Sequence, residues 1–165
     1  MLPQGPFPQD QTWKVLNAML ADQLIDVDVQ AISEKDFNAD GDIIMTPPSV
    51  RTFYAGTGYE ATSDLQRLSY DVAGRFMILC GAQDLTSAIA QAQASARLAD
   101  QVCGILAGAR LNLPNGDQSI PVLLKAIEPL PIDGLGMGYA VAIEVPGLAQ
   151  MPGTNAAGYT AQGVE

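Results

Sequence analysis

The residues best placed for chemistry lie in one stretch, DFNADGDIIMTP, from Asp36 to Pro47. Asp36, Asn38 and Asp40 alternate, Gly41 follows, and Ile43 stands where a calcium loop turns an apolar residue inward. Such a pattern wraps carboxylate and carbonyl oxygens around a hard cation, with a glycine allowing the sharp turn. The last position of the loop should supply a bidentate Glu, and Pro47 occupies it. The entering segment is the short ISEK, and Pro47-Pro48 blocks a helix from leaving. Asp36, Asn38, Asp40 and Asp42 are thus a weak metal candidate. The better reading is an Asx-rich turn whose side-chain oxygens cap nearby backbone amides.

Other chemistry is harder to assemble. The chain has no histidine, which removes the commonest general base and transition-metal ligand. Cys80 and Cys103 have no third or fourth partner for a zinc site and read as reduced, buried thiols. None of the three lysines stands near a serine in an S-x-x-K arrangement. The glycines at 56–58 and 134–138 match neither a dinucleotide fingerprint nor a phosphate loop, and read as turns. Asp26 and Asp28 alternate on one exposed strand face, where solvation is the simpler role. Arg51, Arg67 and Arg75 fall on strands and can pair with acids across a sheet or an interface. No enzyme class emerges, no catalytic residue is assigned, and no cofactor is expected.

Composition narrows the partners. The 165 residues are 48% hydrophobic and 16% charged, enough for one core without staples. Formal charge is −10, and 1–45 hold eight acids against Lys14 and Lys35. Such a surface repels a phosphate backbone, so DNA is expected to pass it without specific binding. No apolar run approaches the length of a membrane span, so no membrane partner is expected. MLPQGPFPQD lacks the basic start and apolar segment of a secretory signal, so a cytoplasmic protein is expected.

The elements that must position these residues follow from periodicity. Residues 1–10, with three prolines, read as an N-terminal arm. Asp10 is a candidate N-cap for a helix over about 11–24, with Trp13, Leu16, Leu20 and Leu24 on one face. IDVDVQAI (25–32) alternates like a half-exposed strand, and SVRTFYA (49–55) is a second strand. GTGYEATSD (56–64) reads as a long turn. LSYDVAGRFMILC (68–80) carries the strongest strand signal, with Leu68, Tyr70, Val72, Phe76, Ile78 and Cys80 on one face. Its other face begins polar and turns apolar at Met77 and Leu79, without obvious local cover, so one end is expected to project.

After Gly81, Asp84 reads as the cap of a helix over 85–107, with Leu85, Ile89, Ala92, Ala96, Ala99, Cys103 and Leu106 inward. On this reading Gln91, Ser95, Arg97 and Gln101 lie outside, and Gly108 ends the helix. Strands at 119–127 and 138–145 are joined by the Pro/Gly-rich EPLPIDGLGMG. Residues 148–165 show no period and read as an extended C-terminal arm. The order predicts an α+β fold: a mixed or antiparallel sheet of four to five strands, with two main helices on one face.

This pattern over residues 11–147 resembles the tail terminator (tail completion) proteins of long-tailed phages, most nearly the Mu-type branch. The likeness rests on the N-terminal helix, the acidic strand, IIMTPPSVRTFYAG, the long LSYDVAGRFMILC, the Ala-rich helix, the Leu111–Ile120 link and two closing strands. The Asp-rich loop and the 148–165 arm lie outside it. The resemblance implies a virion protein without catalysis or cofactor, assembled in the host cytoplasm. It also implies a homo-oligomer, a hexameric ring, that caps the tail tube protein at the neck and meets the head-side connector or stopper. Such a ring has a DNA-conducting pore, for which acidic protein is suited. Tyr54, Gly56, Gly58, Tyr59, Glu60, Arg67, Met151 and Tyr159 are the expected subunit or tube contacts. The competing readings are another neck or head-tail connector subunit and a calcium-binding module.

Overall fold

The computed structural model describes residues 9–61, 69–111 and 121–150. Arg67, Met151 and Tyr159, and most of both expected arms, therefore lie outside the described residues, as does most of the 111–120 link. The order is α1 (Gln9–Gln23), β1 (Asp28–Ala31), β2 (Ser49–Ala61), β3 (Ser69–Gly81), α2 (Ala88–Leu106), β4 (Leu123–Ile132) and β5 (Gly136–Gln150). The strands form one sheet in the order β1-β2-β3-β5-β4. β1 runs parallel to β2, and every other pairing is antiparallel. The fold is α+β, as the periodicities predict. No helix among the described residues is long and apolar enough to cross a membrane.

Both helices pack on the same sheet face. Leu16, Leu20 and Leu24 from α1, and Leu98, Ala99, Val102 and Leu106 from α2, close over Val50, Phe76, Ile78, Cys80, Val141, Ile143 and Val145. Each large aliphatic side chain buried here contributes about 1.5–3 kcal/mol. Trp13 Nε1 donates to Thr52 Oγ1 at 2.8 Å, and Thr52 Oγ1 donates to Asn17 Oδ1 at 3.1 Å. These two bonds pin α1 over β2.

Several boundaries differ from the sequence reading. Asp10 lies inside α1, which begins at Gln9, so it is not the N-cap. The first strand is shorter than 25–32: Ile25 is exposed, and Asp26 turns the chain with φ 60°. β2 does not end at Ala55. It passes a bulge between Tyr54 and Gly56 and stays paired with β3 as far as Ala61. Gly56 accommodates the bulge with φ 116°, a conformation that side chains resist. The expected turn is therefore strand over 56–61, because the long β3 supplies hydrogen-bond partners throughout.

The Pro-rich 128–132 segment is strand too. β4 is the sheet edge, where Pro129 and Pro131 forfeit no ladder bond. Residues 133–135 form the hairpin turn into β5. β5 runs beyond 145 to Gln150, paired with Ser69–Ala73.

The α2 stripe is rotated. Ser87, not Asp84, is the N-cap, and its hydroxyl accepts from Ala90 N at 3.0 Å. Asp84 accepts instead from Thr86 N, and the Thr86 hydroxyl, with that amide, holds its carboxyl below its ordinary range. Leu85 and Ile89 are exposed, while Gln91 and Ser95 are buried. Polar groups face the core because backbone awaits them there. Gln91 Nε2 lies 2.9 Å from Met137 O and 3.0 Å from Ala82 O, and Gln91 Oε1 accepts from Met137 N. Ser95 Oγ accepts from Ala82 N and reaches Ala82 O. The pair fastens the end of β3 and the start of β5 to one helix. α2 ends at Leu106 with Ala107, rather than Gly108, as its C-cap, and Gly108 follows with φ 69°.

Candidate functional site

The acidic loop builds a cover for the sheet. A single 3-10 turn, Glu34–Asp36, leads into it. Asn38 Oδ1 accepts from the backbone amides of Asp40 and Asp42, both at 2.9 Å. Asn38 Nδ2 donates to Asp133 at 3.1 Å and weakly to Asp42. Phe37 and Ile43 pair across the loop, and Asp133 N donates to Ile43 O. Ile43 and Met45 thereby reach a second apolar cluster of Leu79, Ile132 and Ala140, beside Met77 and Leu135. This is the local cover that the outer face of β3 appeared to lack in the sequence.

Both carboxylate oxygens of Asp36 are engaged by protein donors. Its Oδ1 accepts from Arg51 Nε at 2.8 Å, and its Oδ2 accepts from Ser33 N at 2.8 Å. Arg51 Nη2 also meets Asp28 Oδ2 at 2.8 Å, and Nη1 donates to Asp28 O. The guanidinium is buried, as is Asp36, while Asp28 is half exposed. Arg51 holds the Asp28 carboxyl below its ordinary 3.8. The solvated role read for Asp28 is thus replaced by a structural one, fixing β1 and the loop to β2. Of the four metal candidates, Asp36 is held by Arg51 and Asn38 by backbone, leaving Asp40 and Asp42 on the surface. No cluster of three acidic, Cys or His ligands occurs among the described residues.

Beyond the Arg75 row, where β4 begins at Leu123, β2, β3 and β5 continue together as a three-stranded ribbon. It gathers several of the expected contact residues. Gly58, Tyr59 and Glu60 share a groove of about 530 Å³ with Arg75, Leu123 and Glu144. Glu144 lies 3.7 Å from Arg75 Nε and 3.6 Å from Lys125 Nζ, so two cations face one carboxylate. Tyr59 is 51% exposed, and Arg75 is exposed as well. Gly58 is held close to the Arg75 guanidinium; a Cβ there would lie 2.8 Å from its Nη2. Tyr54 instead turns inward, half buried, with its ring 5.6 Å from Phe76 and its hydroxyl bonded to Thr57. Gly56 sits at the bulge between these two settings.

Cys80 is buried on the helix-covered face, and burial, with Cys103 nearby, pushes its thiol up to about 12. Cys103 is only half buried, contrary to the expectation for it, because α2 turns it toward the edge of the stripe. Its thiol is also raised by partial burial. Arg51 and Arg75 pair with acids across the sheet as the sequence suggested, though their partners Asp28, Asp36 and Glu144 were not named, and sequence reasoning missed the Gln91–Ser95 fastening and the Lys125–Glu144 contact. Of these two, only the Gln91–Ser95 spacing carried a signal, since two polar residues one helical turn apart share a face.

No family model matches the chain, and no curated protein does. Among solved structures, a chain of the virion of a native gene transfer agent (GTA) particle is similar, with 12% sequence identity and a TM-score of 0.43 over 87% of this chain and 95% of that chain.

Proposed function

We propose that the protein is a structural subunit of a phage-type virion, a tail terminator whose copies close into a six-membered ring on the tail tube. The ring meets the head-side connector and leaves a pore through which DNA passes without adhering. The observation that carries this reading is the ribbon of β2, β3 and β5. It extends past the Arg75 row and, with that row, presents Tyr59, Glu60, Arg75 and Glu144 rather than a catalytic constellation. Exposed tyrosine and arginine on a rigid ribbon suit contact with another protein. The resemblance of residues 11–147 to tail terminators supplies the ring and its place at the neck. Formal charge of −10 supports the non-adhesive pore. Residues 1–8, Arg67 and the 151–165 segment, with Met151 and Tyr159, complete the proposed contacts.

The reading is tested by deleting 151–165 and, separately, by Tyr59→Ala, followed by thermal unfolding and tail-joining assays. The expected result is a folded, soluble chain that joins tails poorly, with the weaker defect in Tyr59→Ala. Both variants completing infectious particles at the normal yield would contradict it.

A further inference from the structure

Among the described residues the sheet has two outer edges, and they are open over the same rows. On one side, β1 covers β2 only from Ser49 to Thr52. Among the described residues no strand covers β2 from Phe53 onward. On the other side, β4 is the edge strand throughout, but Pro129 and Pro131 carry no N–H to offer a further strand. Tracing the registers across the sheet aligns these limits. The row of Val50 runs through Cys80 and Tyr139 to Pro129, so one edge is covered where the other is blunted. The next open rows run from Phe53 through Met77 and Ala142 to Ala126, and from Tyr54 through Phe76 and Ile143 to Leu124. Above them, Gly56 aligns through Arg75 and Glu144 with Leu123.

Side chains mark the same rows. Phe53 on β2, and Leu123 and Leu124 on β4, are each between 41% and 45% exposed, while Ile127, also exposed, lies one row lower, level with the covered Thr52. An edge that must stay single usually avoids exposed apolar residues. Direction agrees as well. β2, β3, β5 and β4 alternate in an antiparallel ribbon, so β4 runs opposite to β2. A second copy in the same orientation, set beside the first, brings its β2 against β4 as another antiparallel pair. The contact joins two different surfaces, so it repeats head to tail, and such contacts close into rings when the rotation between copies permits.

We propose that the partner of each open edge is a second copy of this chain. Leu123–Ala126 of one subunit pairs antiparallel with the β2 segment beginning at Phe53 of the next, extending the sheet from subunit to subunit. Phe53 then packs beside Leu123 and Ala126 on one face, and Tyr54 meets Leu124 on the other. The proposal deepens the ring reading by naming its interface, and rests on that reading for closure.

The test places Phe53→Cys and Ala126→Cys together in a Cys103→Ser chain, with each single cysteine as control. Non-reducing gels after mild oxidation, or after a short bis-maleimide, report the contact. The expected result is a ladder of covalent oligomers in the double variant, with the single-cysteine chains stopping at a minor dimer. Phe53→Lys and Leu124→Lys, both at exposed positions, are expected to keep the native unfolding midpoint while weakening assembly at least tenfold. Wild-type assembly with no ladder, and no loss in either lysine variant, overturns this interface and leaves the ring reading intact. A wild-type chain that stays monomeric even on tube ends overturns both.

Discussion

Replacing Arg51 tests how the acidic loop is held. Its guanidinium makes 2.8 Å contacts with Asp36 Oδ1, Asp28 Oδ2 and Asp28 O, and a 3.2 Å contact with Val50 O. Arg51→Ala leaves Asp36 buried with the Ser33 amide as its principal donor. Removing one partner of a buried ion pair costs about 3–5 kcal/mol, a large share of the roughly 5–15 kcal/mol typical of a whole fold. Urea unfolding of Arg51→Ala should show a loss in that range, and hydrogen exchange should show the 32–46 segment opening first. Arg51→Lys, which cannot fork between two carboxylates, should recover only part of it. Arg51→Met with Asp36→Leu should lie closer to wild type than Arg51→Ala, because no buried charge is stranded. The same network sets an acid limit. The Asp28 carboxyl is depressed below 3.8 in the folded chain, so its contribution is present above that pH and disappears as pH falls through the lower folded value. A loss under about 1 kcal/mol for Arg51→Ala would refute the reasoning, since that is the scale of an exposed pair.

Gln91→Ala strands the Met137 N–H and carbonyl and leaves Ala82 O to the longer Ser95 contact, and should cost about 2–3 kcal/mol in urea unfolding, whereas Gln93→Ala, on the exposed side of α2, should change stability little. Cys103 should react with a bulky thiol reagent in the folded state, slowly, while Cys80, with a thiol near 12, should react only on unfolding; fast labelling of Cys80 would contradict its place under the helices. Calorimetric titration should show no tight calcium binding, because Asp36 is held by Arg51 and Asn38 by backbone amides; micromolar affinity lost in Asp42→Ala would overturn that assignment.

The parts of the fold legible in the sequence are those where one period dominates. Leu16, Leu20 and Leu24 declare α1, and Val72, Phe76, Ile78 and Cys80 declare β3, because burial repeats cleanly along each. The errors fall where backbone demands outweigh side-chain hydropathy. Gln91 and Ser95 look external by polarity, yet the ends of β3 and β5 present backbone groups only such residues can satisfy. Leu85 and Ile89 look internal, yet the helix begins only at Ala88, so Leu85 precedes it and Ile89 sits exposed in its first turn. The glycines at 56 and 58 and the prolines at 129 and 131 look like punctuation. One pair sits in a bulged strand and the other on the edge strand of the sheet, and neither place is visible without the neighbouring strands. The Asp-rich loop was legible as a turn, and Asn38 caps it as expected. That Arg51 pairs with an acid was legible, but Asp36 as that acid was not, because fifteen residues separate it from the guanidinium that holds it.

The ring is the central claim, and the mass of the assembled protein tests it most directly. Native mass spectrometry of the chain, alone and after release from tail ends, should give a six-membered species of about 104 kDa, six times 17.3 kDa. Particle images should show six-fold density at the head-proximal end of the tube. A twelve-membered species, with twelve-fold density at the neck, would contradict the terminator assignment and favour a connector subunit.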